Sequence, residues 1–348
     1  MNITRYARPN AAIRGMISRL LTPRQRRELI VAPGLEEALR QLEATAYSTG
    51  LAALPGDGAN LASLEAALKR DLVSAYCAVI HALDGRPRAL MDELLRRLEV
   101  DDLKAILRGR AAGAASEGIR PLLVPLAACS RLPVDALLAA SGVAEAIEAL
   151  GALPYARPLR DALERYRREG TLFPLEVALD LDYYRRLWAT VQALPARDRA
   201  VARRAIGVRY DVITIDWLLR YKALYRLSPE ETFNYTLPFG LRIDDQVIRR
   251  AAAAPDLPGL VAELPEPYRG LLLPLAGREG LWRLEVALQR YLWRKARLAL
   301  AGYPLQIGVP LAYLHLKEAE VHDLRAILEG KRYGRSPEEI RAFLWGEA

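Results

Sequence analysis

An internal repeat constrains the fold of this chain more than any other feature of its sequence. The motif LEAAL at Leu64 returns as LEVAL at Leu175 and at Leu284, with spacings of 111 and 109 residues. An anchor motif begins 35 or 36 residues after each of these and reads EVDDLKAILRG from Glu99, DVITIDWLLR from Asp211 and EVHDLRAILEG from Glu320. Self-similarity at such a period predicts repeated supersecondary units that bury their apolar faces against one another.

Apolar residues recur at helical spacing, and alanine and leucine dominate a chain that is 52% hydrophobic. In the third repeat an apolar stripe predicts a helix over 307–328. Gly308 and Pro310 suit the start of this helix, and Gly330 suits its end. A helix-loop-helix is expected after each anchor motif, with a proline near the start of its second helix: Pro133, Pro229 and Pro337. The sequence therefore predicts an all-α fold.

The first residues of the chain supply a piece that the last repeat lacks. RLLTPRQRRELIVAPGLEEAL near the N-terminus is similar to SRLPVDALLAASGVAEAI in the next repeat. This permutation predicts a single all-α domain of three pseudo-equivalent helical lobes of about 110 residues, closed into a ring-like or funnel-like body. The expected lobes are 1–63 plus 284–348, 64–174 and 175–283, and an open stack of repeats is the alternative.

The segment HLKEAEVHDLRAILEG, residues 315–330, raises the question of a metal site. His315, Glu318 and His322 share one helical face, but neither His-Glu-x-x-His nor Glu-x-x-His is present. When the anchor motifs are aligned, His322 corresponds to Asp101 and His315 to Leu94. The apolar stripe and its acid recur without the histidines, so we expect a structural segment and no metal.

Other catalytic patterns are absent from the sequence. GAASEGIR, 113–120, lacks the Lys-Ser/Thr of a phosphate loop and is expected to be a loop between helices, while PGDG, 55–58, predicts a turn. There is no Gly-x-Ser-x-Gly motif, so no nucleophile elbow is expected. Two cysteines, Cys77 and Cys129, are too few for a disulfide framework, and we expect both to be buried thiols. No secretory signal or membrane span is expected from the hydropathy pattern. We therefore predict no catalytic residues and no cofactor.

Several motifs resemble one family along essentially the whole chain. The segment from Tyr303 to Leu344 is similar to the closing segment of the C subunit of the A/V-type rotary ATPases, known as the d subunit in the eukaryotic vacuolar enzymes; the matching residues are Lys317, Glu318, Glu320, Leu324 and Arg325. YARPNAAIRGMISRLL resembles the N-terminal pattern of that family through Asn10, Ala11, Arg14 and Met16. LEATAY and LEVALDLDYYRRLW resemble two further motifs. Where the family often has Asn before the anchor leucine, this chain has Asp102, Thr214 and Asp323, which we expect to cap or hydrogen-bond locally.

The resemblance implies a non-catalytic rotor subunit of the central stalk. Such a protein is a socket between the central shaft, formed by the D and F subunits, and the membrane ring of proteolipid subunits. It transmits torque for ATP-linked proton or sodium transport, at the cytoplasmic face of the membrane, with no transmembrane span of its own. The resemblance implies no direct nucleotide and no nucleic acid among the partners.

The net charge of +8 allows other partners, because 50 basic residues face 42 acidic ones. The predicted partner-binding residues lie at the helix-to-loop junctions after the anchor motifs and are Arg108, Arg110, Arg220, Lys222, Lys331, Arg332 and Arg335. The alternative interpretation of these arginines and lysines is a solvated helix face. Two alternative functions are a basic helical-repeat protein that binds nucleic acid and a helical enzyme with a metal at His315 and His322.

Overall fold

The computed structural model describes residues 3–52, 61–126, 129–237, 239–277 and 280–346. All regular structure in these ranges is helical, so the predicted all-α fold is confirmed. The turn predicted at 55–58 lies outside the described residues. The chain forms two compact units, one of Met1–Leu61 with Gln192–Ala348 and the other of Ala62–Val191.

The first ten helices are α1 (Ile3–Ile17), α2 (Pro23–Val31), α3 (Leu35–Glu43), α4 (Ser48–Ala52), α5 (Leu61–Ala82), α6 (Gly85–Ala111), α7 (Ser116–Ile119), α8 (Val134–Ala139), α9 (Val143–Ala149) and α10 (Ala156–Glu169). The remaining helices are α11 (Phe173–Ala193), α12 (Ala196–Arg220), α13 (Pro229–Asn234), α14 (Asp245–Ala253), α15 (Leu257–Ala262), α16 (Tyr268–Leu272), α17 (Trp282–Ala301), α18 (Gly308–Arg332) and α19 (Pro337–Phe343). A 3₁₀ turn, Arg120–Leu122, follows α7, and a π-helical turn, Tyr221–Tyr225, extends α12. The three anchor motifs lie on α6, α12 and α18, which are long helices of 25 to 27 residues.

Three short helices start with the same local chemistry. Thr22, Ser228 and Ser336 are the N-cap residues, and the side chain of each accepts a hydrogen bond from the backbone N–H three residues further on. The Gln or Glu side chain at that third position accepts a hydrogen bond in return from the backbone N–H of the N-cap residue. A proline occupies the first turn of each of these helices, where its missing N–H costs nothing. The expected helix starts at Pro229 and Pro337 are therefore confirmed, and Pro133 directly precedes α8.

Gly330 lies inside a helix, so the prediction that it ends the helix is wrong. Helix α18 continues to Arg332, and the side chain of Ile340 packs directly onto Gly330. A Cβ atom at Gly330 would lie 2.5 Å from Ile340 Cγ1, which is closer than real Cβ contacts allow. The actual stop is Gly334, whose φ of +65° is a left-handed conformation that glycine adopts at little cost.

Gly109 in α6 has the same role toward Ile119. A Cβ atom there would lie 2.3 Å from Ile119 Cδ1, so the glycine permits the close approach of α7 to α6. The prediction of a loop over 113–120 is wrong for Ser116–Ile119, which forms one helical turn and holds Ile119 at 2% exposure.

The hydrophobic core contains charged side chains as well as apolar ones. In the unit that includes the N-terminal helices, one core cluster joins α12, α14, α15, α16 and α17, and a second joins α17 and α18. In addition to apolar residues, the two units bury charged side chains, among them Arg26, Arg96, Glu99, Asp211, Lys317, Glu320 and Asp323. A buried charge is tolerated only where it is paired and hydrogen-bonded, so each of these groups needs partners.

Candidate functional site

Glu99, the first residue of the first anchor motif, is fully buried in a network of donors. The phenol of Tyr155 donates a hydrogen bond to Glu99 Oε2, and Arg96 Nη1 donates to Oε1 at 2.6 Å. The backbone N–H of Arg131 also donates to Oε1. The guanidinium neutralises the carboxylate, and the other donors fix its position. We call such a buried acid with its tyrosine a carboxylate–tyrosine node.

Asp211 forms a second node, to which none of the described side chains contributes a cation. Tyr268 donates its phenolic proton to Asp211 Oδ2 at 2.8 Å, and the N–H groups of Arg242 and Ile243 donate to Oδ1 at 3.0 Å. Val208 stands three residues before Asp211, where the first node has Arg96. Burial raises the pKa of Asp211, while the donated backbone hydrogen bonds oppose that change.

Glu320 forms the third node between segments that lie far apart in the sequence. Its Oε1 accepts from the phenol of Tyr47 at 2.8 Å, and its Oε2 accepts from the backbone N–H of Leu21 at 2.6 Å. Lys317 Nζ donates to the Tyr47 oxygen at 2.7 Å and lies 3.4 Å from Glu320 Oε1. The node therefore ties α18 to the region of α2–α4.

The node acids are the first residues of the three anchor motifs, but sequence reasoning missed their tyrosines. A usable signal was present, because Tyr155 follows Glu99 by 56 residues and Tyr268 follows Asp211 by 57. Burial raises the pKa of both tyrosines, and the adjoining carboxylates raise it further. Both phenols therefore stay protonated and keep donating.

Three residues after each node acid the chain has Asp102, Thr214 and Asp323. Asp102 Oδ1 accepts from the backbone N–H of Val124 at 2.7 Å, and Asp323 Oδ1 accepts from that of Trp345 at 2.7 Å. Both contacts span 22 residues, so the two aspartates hold equivalent loops instead of making the local hydrogen bonds that we expect of them. Thr214 also departs from that expectation, because its buried hydroxyl has no hydrogen-bond partner among the described residues.

The two aspartates differ in the charge that faces them. Arg26 is buried and donates from Nη1 to Asp323 Oδ2, with its Nη2 4.0 Å from Glu320 Oε2. None of the described residues places a guanidinium against Asp102, and burial raises the pKa of Asp102 to about 7 although the Val124 N–H opposes the shift.

The residues considered for a metal have other partners in the structure. Glu318 accepts from Arg209 at 3.0 Å and lies 3.7 Å from His315 Nδ1. The His322 ring stacks on Trp345 with their centroids 3.8 Å apart. Across the described ranges, no three metal-capable side chains converge on one point.

Four of the predicted partner-binding residues make contacts within the fold. Arg108 pairs with Glu176 through bonds of 2.6 and 2.9 Å, and Arg220 pairs with Glu285 at 2.7 Å. Arg110 donates to the carbonyl oxygens of Leu138 and Ala140, both at 2.9 Å, at the end of α8. Lys222 donates to those of Ala252 and Ala254, at 2.9 and 2.7 Å, at the end of α14. These cations satisfy carbonyl groups that a helix end leaves free.

The other three predicted residues surround an exposed tyrosine after α18. Arg335 pairs with Glu339 at 3.1 Å, whereas Lys331 and Arg332 make no hydrogen bond or ion pair within the described part of the chain. Tyr333, which directly follows these two cations, is 73% exposed. We call Lys331, Arg332 and Tyr333 the basic corner. None of these contacts tests binding to a partner, so the partner-binding role of all seven residues remains a prediction.

Comparison with known proteins places these features in one class, the subunits of rotary ATP synthases. A family model described as ATP synthase (C/AC39) subunit matches residues 9–343. The chain belongs to this family, and the predicted family is thereby confirmed. Members of the family are structural subunits of the synthase and not its catalytic ones.

Relatives of similar length share a little over a quarter of their residues with this chain. The C subunit of the A-type ATP synthase of Methanothermobacter thermautotrophicus is 29% identical over 341 residues, which is 96% of this chain and 86% of the relative. The C subunit of the V-type ATP synthase of Deinococcus radiodurans is 28% identical over 97% of this chain and 90% of its own length. None of the described helices combines the length and the apolar character that crossing a membrane requires.

Proposed function

We propose that this chain is the central-stalk component that joins the shaft, formed by the D and F subunits of a rotary ATP synthase, to its proteolipid ring. In this role it is a socket and spacer that transmits torque for proton or sodium transport linked to ATP. It is a peripheral subunit at the cytoplasmic face of the membrane. The observation that carries the proposal is the set of three carboxylate–tyrosine nodes. Each node joins a long anchor helix to a distant segment, and a torque coupler needs that stiffness.

The same nodes support three lobes of related structure. Each lobe would contain one anchor helix, one node and the short helices that follow, with approximate boundaries at 1–63 plus 284–348, 64–174 and 175–283. Closure of these lobes into a funnel is part of the proposal. A closed body would resist shear between its two ends better than an open stack, whose repeats touch only their neighbours.

The predicted docking residues fall into two groups under this proposal. Arg110 and Lys222 act indirectly, since they hold helix ends in place. The basic corner, Lys331, Arg332 and Tyr333, supplies a direct contact for an acidic partner surface. An exposed tyrosine beside two cations suits such an interface, because Tyr and Arg are enriched in the buried centres of protein interfaces.

The test is a tagged pull-down from gently solubilised membranes, with the recovered chains identified by mass spectrometry. Shaft subunits, catalytic head and proteolipid ring should co-purify in fixed proportion. The Lys331→Glu/Arg332→Glu variant should weaken this recovery, and Arg167→Glu/Arg168→Glu on the exposed face of α10 is the control with the same charge change. Recovery of the chain alone, or with nucleic acid, would refute the stalk role. Full assembly of the corner variant would refute the docking site alone.

A further inference from the structure

The positive charge of this protein is concentrated in two stretches of the sequence. Residues 1–27 and 286–317 contain 12 of the 50 basic residues and none of the 42 acidic ones. The rest of the chain has 38 basic residues against those 42 acids, so it carries a small negative excess. The net charge of +8 is therefore a property of two local segments.

The fold brings these two stretches together within one compact unit. Arg14 on α1 donates from Nη2 to the carbonyl oxygen of Leu300 on α17 at 3.2 Å. Leu20, just after α1, packs on the core cluster that contains Trp293 and Ala296 of α17. The end of α1 and the second half of α17 are thus neighbours on the same part of the surface.

Some of the 12 cations are buried or make hydrogen bonds within the fold. Arg26 and Lys317 are buried beside Glu320, and Arg290 donates to the carbonyl oxygens of Leu344 and Arg341 at 2.9 and 2.7 Å. Arg5 on α1 is exposed as well, but it lies 3.7 Å from Asp198. Six others are exposed on α1, just after it, or on α17: Arg8, Arg14, Arg19, Arg294, Lys295 and Arg297. We call these six the acid-free basic surface, since neither stretch that forms it contains Asp or Glu.

Two apolar side chains near these cations are exposed to solvent. Leu298 is 67% exposed and Tyr303 is 45% exposed. Leu298 lies four residues after Arg294, so the two share a helical face. Exposed leucine and tyrosine among cations are typical of segments that lie in the interface of a membrane, where apolar groups enter the acyl boundary and cations meet the headgroups.

We propose that the acid-free basic surface binds the anionic phospholipid headgroups of a membrane directly. Six cations attract a negatively charged membrane surface within a Debye length, and Leu298 and Tyr303 provide the apolar contact. An acidic protein is the other anionic partner that such a surface could take. The lipid surface fits better because Leu298 and Tyr303 have apolar groups to bury, and lipid binding needs no matched pattern of acids. This contact goes beyond the proposed stalk role, in which the ring alone attaches the chain to the membrane.

The test is flotation of the purified full chain with phosphatidylcholine vesicles that either contain or lack phosphatidylglycerol. Binding should require the anionic lipid and should fall as ionic strength rises. The variant Arg294→Glu/Lys295→Glu/Arg297→Glu should lower the vesicle affinity at least about 100-fold, since three attractive charges become repulsive. The matched control is Arg157→Glu/Arg167→Glu/Arg168→Glu on α10, which changes the net charge equally and should bind nearly as well as the wild type.

A Leu298→Ser variant separates the apolar contribution from the charge. It should bind anionic vesicles more weakly than the wild type but keep the same dependence on ionic strength. Circular dichroism of each variant verifies that the helices are retained.

Three outcomes would overturn the lipid proposal. They are equal binding to both kinds of vesicle, an equal loss of affinity in the α10 control, and a triple variant that keeps vesicle binding but loses its co-purifying subunits. The last result would make this surface a protein interface. Flotation uses the isolated chain, so its failure is distinguishable from failure of the stalk role, which is measured by the pull-down.

Discussion

The phenol of Tyr268 donates to the Oδ2 atom of Asp211 at 2.8 Å, across 57 residues of chain. Asp211 is completely buried and Tyr268 is too, so water cannot replace this bond. The same relation joins Tyr155 to Glu99 and Tyr47 to Glu320. Each bond fixes one anchor helix against a segment that the sequence places far away, which makes the nodes the best points at which to test the rigidity of the fold.

Removing one phenol should destabilise the protein most where no cation assists the carboxylate. We expect Tyr268→Phe to lower the free energy of unfolding by about 1–3 kcal/mol, because Asp211 loses a buried donor. Tyr155→Phe should cost less, since Arg96 still neutralises Glu99. Urea denaturation followed by circular dichroism measures both. Tyr303→Phe at the surface is the control, and an equal loss in all three variants would contradict the role assigned to the nodes.

The buried guanidinium of Arg26 should contribute far more to the stability of the fold than the exposed guanidinium of Arg27. Arg26→Met leaves Asp323 without its buried cation and should lower the free energy of unfolding by about 3–5 kcal/mol. Arg27→Met, one residue on and exposed, is the matched control and should change it by less than about 0.5 kcal/mol. Adding Asp323→Asn to Arg26→Met should restore part of the loss. A double variant as unstable as the sum of its parts would mean that the two groups are not coupled.

A methyl group at Gly330 should be destabilising because Ile340 already fills that space. Gly330→Ala should cost about 1–3 kcal/mol in thermal or urea unfolding. Gly15 in α1 has open space around its Cβ position, so Gly15→Ala should instead stabilise by about 0.4–1 kcal/mol. Gly330→Ala combined with Ile340→Val should recover part of the loss. If Gly330→Ala were neutral, the close packing of α19 on α18 would be refuted.

Asp102 should make stability fall as pH rises toward neutrality. Burial raises its pKa from 3.8 to about 7 in the folded protein. Between these two values the folded state holds a proton that the unfolded state has released. This group therefore lowers the free energy of unfolding by about 1.4 kcal/mol for each pH unit in that window. Asp102→Asn removes this contribution. The free energy of unfolding of the variant should therefore increase relative to that of the wild type as pH rises, and the difference should stop growing above about pH 7. A difference between the two proteins that is independent of pH would contradict the raised pKa.

Helices were predictable here where a long apolar stripe defined them. The stripe over 307–328 gave α18 to within a few residues, because a buried face repeats at helical spacing whatever it packs against. The end was missed because Gly330 serves a tertiary contact with Ile340, which local sequence does not contain. The repeat marked the node acids in advance, but pairing Tyr47 with Glu320 needs knowledge of contacts 273 residues apart.

The docking residues show the same limit. Position and charge selected Arg110 and Lys222 as surface cations after the anchor motifs. Whether a carbonyl oxygen lies within hydrogen-bonding distance of such a cation depends on where α8 and α14 end in space. In the structure, both helices present their last carbonyl groups to these two cations. Arg108 and Arg220 likewise meet the glutamates of the LEVAL motifs, Glu176 and Glu285. The sequence contained both partners of each pair without indicating that they meet.

The bond between Tyr47 and Glu320 also determines the order in which the protein can mature on the ribosome. Helices α2–α4 emerge early, but the acceptor for the Tyr47 phenol and the Leu21 N–H is synthesised only with α18. Glu99 and Tyr155 lie only 56 residues apart and can meet as soon as α10 begins to emerge. The unit in the middle of the chain therefore completes its node first. The N-terminal helices wait until α18 has been synthesised, and during that interval a nascent-chain chaperone has its longest access to them.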